Sequence, residues 1–544
     1  MLDFQLVEEA LWAASLGGNE TIVKLMIEKG ENVNAQKGKA LQAASSGGHE
    51  AVVKLLIENG ADVNAQGGQH VNALQAAALA GHEAVVKLLI ENGADVNAQG
   101  EQHVNALQAA AIAGHEAAVK LLMENEADVN AQGENYRNAL QAAAYRGHEA
   151  VVKLLMENGA DVNAQGGHYG NALQAAAYGG HEAVVRLLIE NEADVNARGG
   201  QYGNTLQAAA YGGHEAVVKL LLENGADVNA QGGWYGNTLR AAASEGHEMI
   251  VKLLMENGAD INAQGRWHGS ALQAAASGGH EAVVKLLIEN GADVNAQRGQ
   301  NENPYKAASR GQDESALQAA ASGGHEAVVK LLIENEADVN AQGGWYGNAL
   351  QAAAYEGHET IVKLLIVNGA DMNAQEGNHG TALHAAALAG HEAVVKLLIV
   401  NGADMNAQGG DHGTALHAAA LAGHEAVVKL LIVNGADMNA QGGDHGTALH
   451  AAALAGHEAV VKLLIENGAD VKALVGWRGN ALKEAASRGH EAIVKLLTEN
   501  GANVNEERGW YRSAFQAAAY NSNERVTTRG KKGPLPGKEV TKSR

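Results

Sequence analysis

Residues 204–236 read NTLQAAAYGGHEAVVKLLLENGADVNAQGGWYG, and close copies of this block fill almost the whole chain. Its marker is Gly-His-Glu, whose histidines recur every 33 residues from His49 through His82, His115 and onward to His280. After one interruption the spacing resumes at His325 and continues to His490. Asn19 holds the histidine position one shortened repeat before His49, and Asn523 holds it at the far end. A fixed period of this length signals a stacked array in which each unit buries its apolar face only against its neighbours.

Within 204–236 the order of elements can be read directly. Asn204 has the side chain of a helix N-cap. Leu206 to Tyr211 reads as a short first helix, with Ala208, Ala209 and Ala210 allowing close approach, and Gly212-Gly213 ends it. A second helix starts at His214 and carries the apolar stripe Val217, Val218, Leu220, Leu221 and Leu222. Gly225 is the expected left-handed residue after that helix. In three copies Glu126, Glu192 and Glu336 occupy this place and should be strained. The segment from Asp227 onward is expected to be extended, turning at Gly232-Gly233 with Tyr235 near the tip. Helix, turn, helix and hairpin make one unit, too small to be stable alone.

Leu-Gln-Ala-Ala-Ala, Gly-His-Glu-Ala-Val-Val-Lys-Leu-Leu and Asn-Gly-Ala-Asp-Val-Asn-Ala, in that order and at that period, resemble the ankyrin repeat over roughly residues 10 to 523. The resemblance implies an α fold, a helical solenoid with short β-hairpin tips, of about 15 full units and a terminal half unit. Two features depart from the family. The Pro of its Thr-Pro-Leu-His is missing throughout, and an early Gly-Gly followed by Tyr or His rewrites the tip. The variant Gly-Gly-x-Tyr-Gly-Asn-Ala-Leu-Gln is similar to the ankyrin arms of fungal NACHT-type signalling proteins.

The expected organisation is an N-terminal array over 1–297, an irregular insertion over 298–316, a C-terminal array over 317–523 and a basic tail over 524–544. The insertion brings 12 extra residues, including Pro304. It reads equally as a degenerate unit or as a surface loop, and it is the expected hinge and cleavage point. The tail has seven Lys and Arg against two Glu, contains Pro534 and Pro536, and reads as disordered.

Composition excludes several function classes. The chain has no cysteine, hence no disulfide and no thiolate chemistry. It holds no apolar run of the ~18 residues that a membrane span requires. The net charge of −23 is mostly scaffold, and it argues against nucleic acid, which demands a basic stripe. No phosphate-loop motif is present. The 24 histidines sort into fourteen of Gly-His-Glu, three of Thr-Ala-Leu-His (His384, His417 and His450) and seven at hairpin tips. This regularity reads as structural, so no metal, no cofactor and no catalytic residue is expected, and the chain is not expected to be an enzyme. The expected location is the cytoplasm, with the nucleus as alternative through Lys531-Lys532.

The informative signal is the placement of aromatics. Of 18 Trp and Tyr residues, 11 lie at hairpin tips and five end the first helix. The candidate partner-binding residues are Tyr136, Tyr145, Tyr169, Tyr178, Tyr202, Tyr211, Trp234, Tyr235, Trp267, Trp345, Tyr346, Tyr355, Trp477, Trp510 and Tyr511. If the fold is that of ankyrin, these line its concave groove. Tyr and Trp dominate binding hot spots, and these positions vary most between otherwise near-identical units. The competing view is that the rings merely stack and stiffen the array. The expected function is a monomeric, non-catalytic scaffold for a protein partner. The alternatives are a spacer rod without a partner, or the sensor arm of a larger NACHT-type protein.

Overall fold

The computed structural model describes residues 10–66, 72–100, 104–133, 138–265, 269–296, 314–375, 377, 380–409, 413–442, 446–475, 479–506, 513–514 and 516–517. The chain divides into two compact units, the first comprising 1–275 with 285–292 and the second 276–284 with 293–544. Within each, helices come in repeated pairs joined by short hairpins, an α solenoid.

In the repeat that opens at Asn204, the first helix is Thr205–Tyr211 and the second Glu215–Glu223. Asn204 is extended, and its Oδ1 accepts from the Gln207 amide at 2.8 Å. His214, the expected first residue of the second helix, is instead its N-cap, without a side-chain bond to the helix amides, and the helix begins one residue later at Glu215. First helices of successive repeats pack on one another more extensively than second helices do. Their Ala208, Ala209 and Ala210 are fully buried and bring the backbones together. Val217, Val218 and Leu221 complete the core from the second helix. Burying a side chain of this size contributes roughly 1.5–3 kcal/mol, and only the neighbouring repeats can supply that burial.

The helix exits are left-handed as expected, with φ of 80° at Gly225 and 65°, 66° and 65° at Glu126, Glu192 and Glu336. The hairpins are minimal. Arg198–Gly199 pairs antiparallel with Gly203–Asn204, and Gln231–Gly232 with Gly236–Asn237. Neighbouring tips are linked by backbone bonds, Gln201 N–H to His168 O at 3.2 Å and Trp234 N–H to Gln201 O at 3.0 Å. A Cβ on Gly233 would lie 2.4 Å from the Tyr202 backbone, which explains the second glycine of the early Gly-Gly. In the shortened first repeat the hairpin is replaced by consecutive left-handed residues, Gln36, Lys37 and Gly38.

Of the insertion, residues 298–313 lie outside the described residues, as do the tail and Trp510, Tyr511 and Tyr520. Within the second unit, bonds between repeats span the insertion. Ser277 O accepts from His325 Nε2 at 2.9 Å, and Asn295 Nδ2 donates to Glu336 O at 3.0 Å. The sequence separation for the first bond is 48 instead of the usual 36, the difference being the 12 inserted residues.

Candidate functional site

Within each unit, three ladders of side chains join successive repeats among the described residues, and together they account for most of the recurring polar residues. The first is the Gly-His-Glu histidine. His214 Nε2 bonds to the carbonyl of Tyr178 at 2.8 Å, and equivalent bonds run from His115 to Leu79 and from His424 to Leu388. A carbonyl can only accept, so Nε2 carries the proton. The ring lies over the glycine that precedes the equivalent histidine one repeat earlier: a Cβ on Gly180 would meet His214 Nδ1 at 2.4 Å. The triplet is thus conserved along the chain as a two-repeat device, the Gly of one unit making room for the His of the next.

Asparagine forms the second ladder. Asn163 Nδ2 donates to Glu192 O at 3.1 Å, and its Oδ1 accepts from the Asp194 amide at 2.8 Å. The third uses Gln of the first helix, as when Gln174 Nε2 donates to Ala197 O at 3.1 Å. In three repeats of the second unit histidine replaces that glutamine. His384 Nε2 donates to Gly413 O at 2.7 Å, while its Nδ1 accepts from the Thr381 amide and hydroxyl. His417 and His450 repeat the arrangement with Thr414 and Thr447. Burial pushes the His450 imidazole down to about 4. Arg240 and Lys483 take the same place elsewhere, and burial lowers the Arg240 guanidinium to about 10. Arg240 Nη1 donates to Tyr235 O at 3.0 Å. The histidines of Gly-His-Glu and Thr-Ala-Leu-His thus serve the stack, and among the described residues no group of three or more His, Asp or Glu is placed to hold a metal ion.

Among the described residues, the ring contacts between Tyr and Trp side chains form two clusters. In the first unit Tyr145, Tyr169, Tyr178, Tyr202, Tyr211 and Tyr235 make one continuous column that alternates between helix ends and hairpin tips. Successive centroids lie 4.7, 5.5, 4.8, 5.5 and 4.8 Å apart. Tyr202 is buried, at 6% exposure, and the others are half-buried. Burial, then the Tyr178 hydroxyl, push the Tyr202 phenol well above its usual range; burial and the Tyr211 hydroxyl do the same to Tyr235. Arg146 caps one end, its guanidinium carbon 5.4 Å from the Tyr145 ring centre. Trp234 stands clear of the column at 75% exposure.

In the second unit Trp345, Tyr346 and Tyr355 meet at steep angles. Trp345 lies 5.0 Å from Tyr346 and 5.5 Å from Tyr355, and Tyr346 lies 5.7 Å from Tyr355. The Tyr346 hydroxyl donates to Glu356 Oε1 at 2.6 Å. Glu314, from the preceding repeat, lies against Gly344 in the turn of the same hairpin. Burial raises its carboxyl to about 7. Sequence reading found the rings here but missed both glutamates, whose proximity depends on stacking between repeats. The other candidates, Tyr136, Trp267, Trp477, Trp510 and Tyr511, lie outside the described residues.

Comparison with known proteins agrees with this architecture. A family model described as Ankyrin repeats (3 copies) matches residues 74–166, 166–232, 298–376, 350–442 and 441–508. A second, Ankyrin repeats (many copies), matches 10–57, 41–90, 239–288 and 272–319. A search of curated proteins found no match. Among solved structures, the crystal structure of the human ASB11 ankyrin repeat domain is 31% identical, covering 40% of this chain and 98% of that one, with a TM-score of 0.37. Among the described residues no helix is long and apolar enough to cross a membrane. With matched segments extending over most of residues 10–508, the chain belongs to the ankyrin repeat family.

Proposed function

We propose that this chain is a non-catalytic, monomeric cytoplasmic scaffold that binds a partner protein through the aromatic stripe of its hairpin tips and first-helix ends, along the concave groove. Ankyrin repeat domains generally mediate protein–protein interaction, and the stripe supplies the residue types of hot spots. One observation carries the reading: the histidine ladder closes alike in repeats with and without a tyrosine at the helix end. His115 reaches Leu79 O at 3.1 Å and His457 reaches Leu421 O at 3.0 Å, the same ladder that elsewhere reaches Tyr178 or Tyr211. Repeats without a tyrosine at the helix end therefore close in the same way, which leaves the aromatic choice to be set by what the surface meets. On the hairpin variant that resembles fungal NACHT-type proteins, the array would act as the sensor arm of such a protein.

The test is affinity capture with the intact array, beside a variant with Tyr145, Tyr178 and Tyr211 replaced by Leu, the residue found at 79, 388, 421 and 454. The variant is expected to keep its helical circular dichroism and to lose a partner that the parent captures. An unchanged partner set would refute the reading in favour of a rod.

A further inference from the structure

We propose that the Arg240 guanidinium, anchored to the hairpin tip at Tyr235 O, is the seat for an Asp or Glu carboxylate of a protein partner. The proposal rests on the interaction reading above and assigns one contact of it.

Glutamine at this place in the repeat is a scaffold residue. Gln174 and Gln207 are fully buried, and Gln207 Nε2 donates to Ala230 O at 3.1 Å. Arg240 gives up the equivalent bond, and Ala263 O accepts from Asn237 Nδ2 instead, at 3.3 Å. The longer side chain turns back to its own hairpin, where Nη1 donates to Tyr235 O at 3.0 Å. Arg240 is half-buried, whereas Lys483 in the same place is 1% exposed. The guanidinium thus reaches a surface that the buried residues of this ladder do not. Trp234, one residue from the carbonyl that holds it, is 75% exposed and sets accessible apolar surface on the same tip.

What this guanidinium lacks is an anion. Arg186 pairs with Glu182 at 3.0 Å, and Arg146 lies over the Tyr145 ring. Arg240 makes no ion pair among the described residues, and its Nε has no hydrogen-bond partner. The titratable group that acts on it is the Tyr235 phenol. Burial and the Tyr211 hydroxyl push that phenol above its usual range, so it is neutral near pH 7 and supplies no counter-charge. Glu245 acts on the phenol without bonding to Arg240. Burial lowers the guanidinium only to about 10, so it stays charged at neutrality. A half-buried charge with an unsatisfied N–H and a surrendered stack bond destabilises the repeat. A partner carboxylate offsets that loss, because the planar fork of N–H donors matches its two oxygens and the bonds are charge-assisted.

Nitrogen-15 spectra of the full chain, labelled at arginine, read the Arg240 Nε–H directly, its signal assigned as the one lost in Arg240→Lys. The probes are the acetylated, amidated amino acids Glu and Gln, added at matched ionic strength. The Glu probe is expected to shift that signal saturably and to bind about tenfold more tightly than the Gln probe. Arg240→Gln, which returns the residue of the other repeats, should restore the ladder bond and raise the urea midpoint. An Arg240 signal that does not move, or that moves equally with both probes, would overturn the proposal. So would a lower urea midpoint for Arg240→Gln, which would make the guanidinium part of the scaffold. The broader interaction reading would then still stand or fall on the tyrosine-to-leucine capture experiment, which leaves Arg240 in place.

Discussion

His214 and Gly180 form one joint: the imidazole of one repeat occupies the space that a side chain on the glycine of the preceding repeat would need, and its Nε2 bonds to Tyr178 O at 2.8 Å. Gly225 has a similar left-handed φ, 80° against 74°, but open space around its missing Cβ. Gly225→Ala should therefore cost only the backbone strain, about 1 kcal/mol. Gly180→Ala adds displacement of the His214 ring and should cost clearly more, roughly 2–4 kcal/mol. Urea unfolding of the two variants checks the difference, and equal losses would show that the ring is not wedged there.

The three strained exits offer a stabilising change. Glu192 is left-handed at φ 66°, and its carbonyl accepts from Asn163, a bond that the backbone of any residue can make. Glu192→Gly should relieve about 1 kcal/mol of strain and remove a negative charge from the helix C-terminus, offset in part by the entropy of glycine. A modest rise in the urea midpoint is expected. A fall would mean that the entropy term outweighs the relief.

The histidine-bearing repeats should be acid-sensitive where the glutamine-bearing ones are not. The Thr381 amide can only donate, so His384 Nδ1 must be unprotonated while Nε2–H donates to Gly413 O. His450 is held the same way by the Thr447 hydroxyl and Gly479 O, faced by His417 and Asp470 and by the Ala473 carbonyl. Its folded value of about 4 lies below the usual 6.5. Above 6.5 its contribution is fully present. As pH falls towards 4 the unfolded chain takes up the proton first, and up to roughly 3 kcal/mol is lost. Replacing His384, His417 and His450 by Gln should flatten urea stability between pH 7 and 5 relative to the parent. The Gly-His-Glu histidines remain in both proteins, so the difference isolates the buried three.

The insertion is proposed as the site of first proteolytic cleavage, since exposed irregular segments are nicked first. The Ser277–His325 and Asn295–Glu336 bonds cross it within the second unit. Fragments of roughly 300 and 230 residues should therefore appear on a denaturing gel while staying together in native size exclusion. Separation under native conditions would show that the bonds do not hold the nicked chain.

Much of the repeat was legible because its determinants are local. Asn204 as a cap, Gly225 as an exit and the strained Glu126, Glu192 and Glu336 each depend on a few neighbouring residues. The ladders were less legible because each partner is distant: His214 finds Tyr178 O, and Asn163 finds Glu192 O, only once two repeats are stacked. Their signal was present as a fixed His, Asn or Gln in nearly every unit; sequence reading assigned the histidines to the scaffold without naming their bond and gave the Asn and Gln no role. The candidate site divides the same way. The aromatics were visible as residue types, but the column from Tyr145 to Tyr235 and the approach of Glu314 to Tyr346 are properties of the stack.

On this reading the ladders hold the repeats together and the aromatic stripe is left to a partner. Native-state hydrogen exchange on the variant with Tyr145, Tyr178 and Tyr211 replaced by Leu tests it most directly. Amides of the repeats from Asn138 to Gly258 should keep the protection of the parent, within about 1 kcal/mol for the loss of ring stacking. Protection that collapses across these repeats, while those on either side are unaffected, would contradict it and make the tyrosines part of the scaffold.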